Sequence, residues 1–171
     1  TRHGLGTKGL TSTDGGRTFG PQQLVYEEGA AEKVTIGNPT VLVDRETGVI
    51  WLAFCRNNDH VLITHSNDDG STWAKPVDLT QQLKVDWWTW YATGPGHGVQ
   101  LSSGRLLVPV WLSTGTGGHA HRPSVVSVIY SDDHGKTWHA GEIVARHTAT
   151  TPNPSETAAV QLQDGRVMLN I

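Results

Sequence analysis

The sequence of 171 residues contains a single cysteine, Cys55. One thiol cannot form an internal disulfide framework or a cysteine-based zinc cluster, so neither device holds this fold together. Charged residues make up only 17% and the net charge is −3, which argues against a protein that follows nucleic-acid phosphates. No apolar run approaches the roughly 18 residues that a membrane span needs, so the sequence predicts no membrane segment.

Helical periodicity is also lacking, because no window keeps apolar residues at helical spacing for three turns. Short runs rich in Val, Ile, Leu and Trp alternate instead with Gly, Pro, Asn and Asp clusters. The segment 27–33 is predicted as a loop or a single turn, since Gly29 interrupts it. The predicted strands are residues 40–43, 49–55, 61–65, 98–101, 106–112, 125–130 and 160–162, with a buried strand at 166–171. We therefore predict an all-β fold.

A repeated pattern, Ser-x-Asp-x-Gly-x-Thr-aromatic, occurs three times, with its aspartates at Asp14, Asp68 and Asp133. Each copy suits a hairpin turn, because the Asp carboxylate accepts hydrogen bonds from backbone groups a few residues on and Gly supplies a positive φ. We interpret the aspartates as structural rather than catalytic. One such hairpin per repeat of roughly 40–65 residues in an all-β chain favours the four-stranded blades of a β-propeller.

These repeats resemble the Asp boxes of sialidases (neuraminidases). Two further segments, 91–109 and 155–170, resemble longer sialidase signatures, and the stretch from Gly37 to Leu52 also fits. The resemblance implies a six-bladed propeller of which this chain is a partial propeller, about three blades, truncated at both ends. We treat residues 1–171 as one incomplete domain. The remaining blades of the parent protein are then its structural partners.

The resemblance also implies chemistry: an exo-α-sialidase that removes terminal sialic acid from glycoconjugates without a cofactor. Sialidases use a tyrosine nucleophile in place of the usual carboxylate. A phenol of pKa near 10 needs a base to take its proton, and Glu156 matches the family glutamate that does so. Ser155 and Thr157, beside it, depart from the usual neighbours. The tyrosine, the acid/base aspartate and the three carboxylate-binding arginines have no match within this chain, so we expect the isolated chain to be inactive.

Several polar and aromatic residues are candidates for the walls of the sugar pocket, because sugar sites combine aromatic faces with a few fixed polar groups. These candidates are Asn38, Arg56, Asn57, Asp59, Tyr91 and Trp111. For any one tryptophan, packing between blades is the competing interpretation. The arginines at 2, 17, 45, 105 and 166 are interpreted as surface residues.

Other signals are set aside or left as alternatives. The His119-Ala-His121 spacing lacks a third metal ligand nearby, so we predict no metal site, and Cys55 is predicted to be a buried apolar residue. One alternative function is a non-catalytic Asp-box propeller that binds glycans or proteins, and another is a different propeller glycoside hydrolase. The compartment stays open: the resemblance implies an extracellular or periplasmic protein in a bacterium and a lysosomal one in a eukaryote.

Overall fold

The computed structural model describes residues 5–29, 34–83, 87–115 and 121–171. Within these ranges almost all regular structure is β-strand, and the single helix has four residues. No helix in the described ranges has the length and apolar character to cross a membrane. The elements are β1 (Leu5–Gly9), β2 (Gln23–Glu28), β3 (Ile36–Val43), β4 (Ile50–Arg56), β5 (His60–Ser66), β6 (Val77–Asp78), α1 (Thr80–Leu83), β7 (Trp90–Thr93), β8 (Gly96–His97), β9 (Val99–Gln100), β10 (Leu106–Ser113), β11 (Ser124–Ser131), β12 (His139–Ala140), β13 (Ala145–Arg146), β14 (Ala158–Gln161) and β15 (Val167–Asn170).

Two complete four-stranded blades form the centre of the structure. In the first, called blade I here, β3, β4, β5 and β6 follow one another across an antiparallel sheet. In blade II the first position is shared by β7 and β9, followed by β10 and β11, with β12 and β13 both pairing with β11 at the outer edge. The short strand β8 runs parallel to β3, so the first strands of the two blades point the same way.

Two half-blades flank this centre. Strands β1 and β2 enclose the first Asp box and therefore correspond to the third and fourth strands of a blade. Strands β14 and β15 form a hairpin that corresponds to the first and second strands. Two complete blades and two halves confirm the prediction of an all-β, partial propeller of about three blades.

The three Asp boxes have nearly the same hydrogen bonds. In the third, Ser131 Oγ donates to Asp133 Oδ1 at 2.8 Å, and Thr137 donates through its backbone N to Oδ1 and through its Oγ1 to Oδ2, at 2.9 and 2.6 Å. The boxes around Asp14 and Asp68 repeat these three bonds within 0.1 Å. The carboxylate of each aspartate therefore accepts hydrogen bonds within its own hairpin turn. The aromatic residue packs back in the second and third boxes only, because Phe19 of the first box stays 60% exposed.

A continuous apolar core lies between blades I and II. Leu42, Ala53 and Ile63 of blade I pack there with Val108, Val110 and Ile129 of blade II. Two tryptophans, Trp51 and Trp138, meet edge to face in this core with ring centroids 6.0 Å apart. Cys55 is buried in the same core, as predicted, and this burial raises the pKa of its thiol to about 11.

Glutamine side chains tie each blade to the one before it. Gln100 Nε2 donates to the buried carboxylate of Asp44 at 2.8 Å, and Gln100 Oε1 accepts the backbone N–H of Arg45 at 2.7 Å. One blade later, Gln161 Oε1 accepts the backbone N–H of Ser102 at 2.7 Å, and its Nε2 donates to Ser102 Oγ. Both glutamines lie in a Val-Gln-Leu segment, so a repeated sequence makes a repeated contact between blades.

The structure corrects the sequence prediction at several points. The strand at 166–171 was predicted to be buried, but most of β15 is exposed, because no third strand covers it within the described residues. The predicted strands omit β1, β2, β6, β7, β8, β12 and β13. Four of these have only two residues, and β7 consists of Trp-Tyr-Ala-Thr, which was interpreted as part of an aromatic cluster. Residues 30–33 of the predicted loop and Arg2 lie outside the described residues.

Candidate functional site

Most of the predicted site residues lie on one side of the blades, where the first strand of each blade begins. In blade I, Ile36 at the start of β3 pairs with Arg56, which in turn pairs with His60. In blade II, Ser113 at the end of β10 pairs with both Trp90 and Ser124. Strand β14 starts on the same side, since its far end reaches the turn at Ser102. We call this side the site face.

The Asp boxes lie at the opposite end of the blades. The register of β4 with β5 pairs Ile50 with Ser66, and that of β10 with β11 pairs Leu106 with Ser131. Each of these serines opens an Asp box. The boxes are therefore remote from the site face, which agrees with a structural role.

A cleft on the site face brings Glu156 and Trp111 together. Its volume is about 460 Å³. Trp111 comes from the end of β10, whereas Glu156 precedes β14 in the next half-blade, so the cleft lies between two blades. The other lining residues are His121, Arg122, Ser124, Pro152, Asn153 and Ser155.

The segment before β14 turns the Glu156 side chain outward. Glu156 is exposed, while its neighbour Thr157 is buried and donates a hydrogen bond from Oγ1 to the carbonyl oxygen of Ser155. This bond closes a tight turn around Glu156. The departure at Thr157 from the family pattern therefore has a local physical role, because its hydroxyl fixes the chain on either side of the glutamate.

The wall of the cleft carries polar atoms that have no partner. Trp111 Nε1 and Ser124 Oγ are both buried, and neither reaches a hydrogen-bond partner within the described part of the chain. Trp90 packs on Trp111 with ring centroids 4.1 Å apart, and the centroid of the His121 ring lies 6.2 Å from that of Trp90. A stiff aromatic wall suits a sugar, since the apolar face of a sugar ring packs on aromatic side chains.

The turn between β4 and β5 forms a second polar group on the site face. Arg56 Nε donates to Glu28 Oε1 at 2.7 Å. Asp59 Oδ1 lies 2.6 Å from His60 Nδ1, within hydrogen-bond distance. This bond from Arg56, together with one from Tyr26, lowers the pKa of Glu28 although partial burial opposes the shift. Asn57, in the left-handed conformation, accepts the backbone N–H of Thr35 at 2.9 Å.

Asn38 and Tyr91 link this turn to the start of blade II. Asn58 Nδ2 donates to Asn38 Oδ1 at 3.1 Å and to the carbonyl oxygen of Tyr91 at 3.0 Å. Asn38 lies at an irregularity of β3 with a φ of 55°, where Thr93 Oγ1 donates to its carbonyl oxygen. These bonds hold the polar turn and the first strand of blade II in one unit.

Tyr91 does not form part of an open pocket wall. Its side chain is 1% exposed and packs against Trp88, with ring centroids 5.0 Å apart. Burial raises the pKa of its phenol, and the hydroxyl has no partner among the described residues. The expectation that Tyr91 lines the sugar pocket fails for this physical reason: β7 alternates sides, and Tyr91 faces the interblade core.

The sequence predictions missed several residues of the Glu156 cleft. His121, Arg122 and Ser124 come from the loop between β10 and β11 and from the first residue of β11. From the sequence, His121 was considered only as a possible metal ligand, and no role was assigned to Arg122 or Ser124. Pro152 and Asn153 lie just before the segment 155–170 that resembles a sialidase signature, so they fall outside the residues that the resemblance covers. His119 lies outside the described residues. Within the described ranges, no cluster of three or more His, Cys, Asp or Glu side chains could hold a metal ion.

Comparison with known proteins identifies relatives across the whole chain. The sequence pattern of the BNR repeat-like domain family matches residues 4–171. The chain is 27% identical over 185 residues to a sialidase of Bacteroides fragilis, covering 94% of this chain and 32% of that protein. It is 35% identical over 184 residues to a sialidase of Micromonospora viridifaciens, covering 93% of this chain and 26% of that protein.

Solved structures agree with these relatives. A Hadza microbial sialidase superposes with a TM-score of 0.79 at 26% identity, over 94% of this chain and 34% of that one. The chain therefore spans about a third or less of the length of the proteins it matches here.

Proposed function

We propose, because the chain belongs to the BNR repeat-like domain family and has sialidases among its relatives, that it forms part of an exo-α-sialidase. In this proposal the chain contributes one wall of the sugar site and the base of the reaction, Glu156. The tyrosine nucleophile, the acid/base aspartate and the arginines that bind the substrate carboxylate belong to other blades of the same protein.

One observation carries the proposal: Glu156 and Trp111 line one cleft between two blades, on the face opposite the Asp boxes. An exposed carboxylate in an aromatic-walled cleft can accept a proton and still contact a sugar. The volume of about 460 Å³ lies in the range of small-molecule sites. Arg122, on the same cleft, suits an anionic sugar because its guanidinium offers hydrogen-bond donors and positive charge, and the ring nitrogens of His121 add further hydrogen-bonding groups.

The proposed chemistry assigns Glu156 one proton, which it accepts in the first step and returns in the second. Its carboxylate accepts the phenolic proton as the tyrosine oxygen forms a bond to the anomeric carbon. The bond from that carbon to the leaving oxygen breaks, and the leaving oxygen takes a proton from the acid on another blade. A water molecule then attacks the anomeric carbon, its proton passes to the deprotonated acid on the other blade, and the bond from that carbon to the tyrosine oxygen breaks while Glu156 returns the phenolic proton to that oxygen. A neutral phenol suits a substrate with a carboxylate beside the reacting carbon, because a carboxylate nucleophile would meet like charge.

The test uses Glu156→Gln in a sialidase that contains this chain with its flanking blades. General-base catalysis contributes typically 10²–10⁴-fold, so we expect kcat on a sialoside to fall by roughly that factor. The matched control is Glu142→Gln, which removes an exposed carboxylate away from the cleft and should leave kcat unchanged. Near-normal turnover by the Glu156 variant would refute the assignment.

Substrate choice separates the alternative functions in the same experiment. A sialidase releases sialic acid from a sialoside and is inert towards neutral glucans, whereas another propeller glycosidase shows the reverse. A non-catalytic module binds a sialylated glycan without turning it over. The proposal predicts release of sialic acid by the protein with its flanking blades and none by the 171-residue chain alone.

A further inference from the structure

A second recess, called the outer pocket here, lies on the site face beside the Glu156 cleft. Its volume is about 400 Å³. All of its lining residues in the described ranges belong to blade II or to the segments that lead into and out of that blade, so the recess does not depend on the two half-blades. Ser124, the first residue of β11, lines both recesses, which places them side by side.

An exposed tryptophan forms one wall of the outer pocket. Trp87 is 44% exposed and packs edge to face on the buried Trp88, with ring centroids 5.4 Å apart. Thr89 donates from its backbone N–H to the carbonyl oxygen of Ser113 at 3.0 Å and from its Oγ1 to that of Gly115 at 2.7 Å. These contacts hold the tryptophan segment against the end of β10. A fixed, partly exposed aromatic side chain suits the apolar face of a sugar ring.

The polar groups of the outer pocket favour an anion. Arg146, in β13, is exposed and makes no ion pair with a described residue. His147 Nδ1 accepts the backbone N–H of Asn153 at 3.0 Å, so the other ring nitrogen, Nε2, carries a proton and can donate. No lining residue in the described part of the chain is an Asp or a Glu, whereas the neighbouring cleft contains Glu156. An arginine without a carboxylate beside it can bind one from a ligand, because the guanidinium fits a carboxylate through two parallel hydrogen bonds.

The same histidine connects the outer pocket to the Glu156 cleft. Asn153, whose backbone N–H it binds, lines that cleft and adopts a left-handed φ of 50°. The two recesses therefore share Ser124 and a hydrogen bond between their walls. A ligand longer than one sugar can occupy both.

We propose that the outer pocket binds the second acidic sugar of an oligosialylated glycan, whose terminal sialic acid lies in the Glu156 cleft. The inference rests on the proposed function and adds to it the class of substrate. The carboxylate of the second sugar pairs with Arg146, and its ring packs on Trp87. The bond that breaks is the one between the two acidic sugars, so the second sugar is the leaving group.

The test compares two substrates of the longer protein that contains this chain with its flanking blades. One is lactose with a single sialic acid, so that a neutral galactose follows the cleaved bond. The other is lactose with two sialic acids linked in a row. Arg146→Gln removes one charged contact and should lower kcat/KM on the disialyl substrate by about tenfold. The loss should lie in KM rather than kcat, because the contact is the same in the bound substrate and in the transition state.

Two further variants complete this experiment. Trp87→Ala tests the aromatic wall independently of charge and should also raise KM more for the disialyl than for the monosialyl substrate. Arg17→Gln is the matched control for Arg146→Gln, because Arg17 is an exposed arginine of the first Asp box, on the opposite face, and it should alter neither substrate.

The outcomes separate this inference from the proposed function. A loss confined largely to the disialyl substrate supports the outer pocket. Equal effects of Arg146→Gln on the two substrates, or no effect on either, would overturn this inference and leave the proposed function intact. Cleavage of neither substrate by the wild-type protein would refute the proposed function, and this inference with it.

Discussion

The contact between Gly135 and Trp51 offers a sharp test of how the third Asp box packs against blade I. Gly135 has a φ of +85°, and a Cβ placed on it would overlap ring atoms Cζ2 and Cε2 of Trp51. Trp51 cannot move freely, because Trp138 packs against it in the interblade core. Gly70 occupies the same position of the second box with a φ of +83°, yet its added Cβ would meet only Trp73, at 3.8 Å.

The pair of variants Gly135→Ala and Gly70→Ala therefore separates backbone strain from steric overlap. Both should lose about 1–2 kcal/mol through the left-handed backbone conformation. Gly135→Ala should lose a further 1–3 kcal/mol or so through overpacking. For a chain of this size each kcal/mol corresponds to about 2–4 °C in Tm, which thermal unfolding followed by tryptophan fluorescence resolves. Equal losses in the two variants would refute the packing described between the blades.

Two further predictions concern the Asp boxes and the glutamine contacts. The hydrogen bond from the Thr137 hydroxyl, followed by that from its backbone N–H, lowers the pKa of Asp133 to about 2. Its stabilising effect is therefore complete above the unfolded pKa of about 3.9 and is lost as the pH falls towards 2. Acid unfolding should accordingly depend less on pH in Asp133→Asn, and an unchanged profile would count against this. Gln161→Ala should speed amide hydrogen exchange in β14, because its bonds to Ser102 tie that hairpin to blade II. Gln100→Ala should leave exchange in β14 unchanged, and similar rates in both variants would contradict the assignment.

The sequence predicted the local features of the fold well. Each of the described hydrogen bonds within the Asp boxes joins residues at most four positions apart, so the repeated pattern was enough to predict the turn. The long central strands β4, β5, β10 and β11 were also found, because each contains a run of apolar residues. The two-residue strands at the outer edges were missed, since so short a segment carries no periodic signal.

Contacts between blades were harder to predict. The Val-Gln-Leu repeat was visible in the sequence, yet nothing local shows that Gln100 reaches Asp44 in the preceding blade. Tyr91 has the composition of a sugar-site residue, but strand direction turns it into the core. For the same reason the cleft partners of Glu156, Arg122 and His121, come from a loop whose position depends on the packing of β10 and β11.

The most informative measurement is a structure of the longer protein that contains this chain, solved with a bound sialic acid analogue. We expect a Glu156 carboxylate oxygen to lie within hydrogen-bonding reach, roughly 2.6–3.2 Å, of a tyrosine oxygen beside the anomeric carbon. Trp111 should line the same bound sugar. A ligand bound elsewhere, with the Glu156 carboxylate pointing into solvent and no tyrosine near it, would contradict the account.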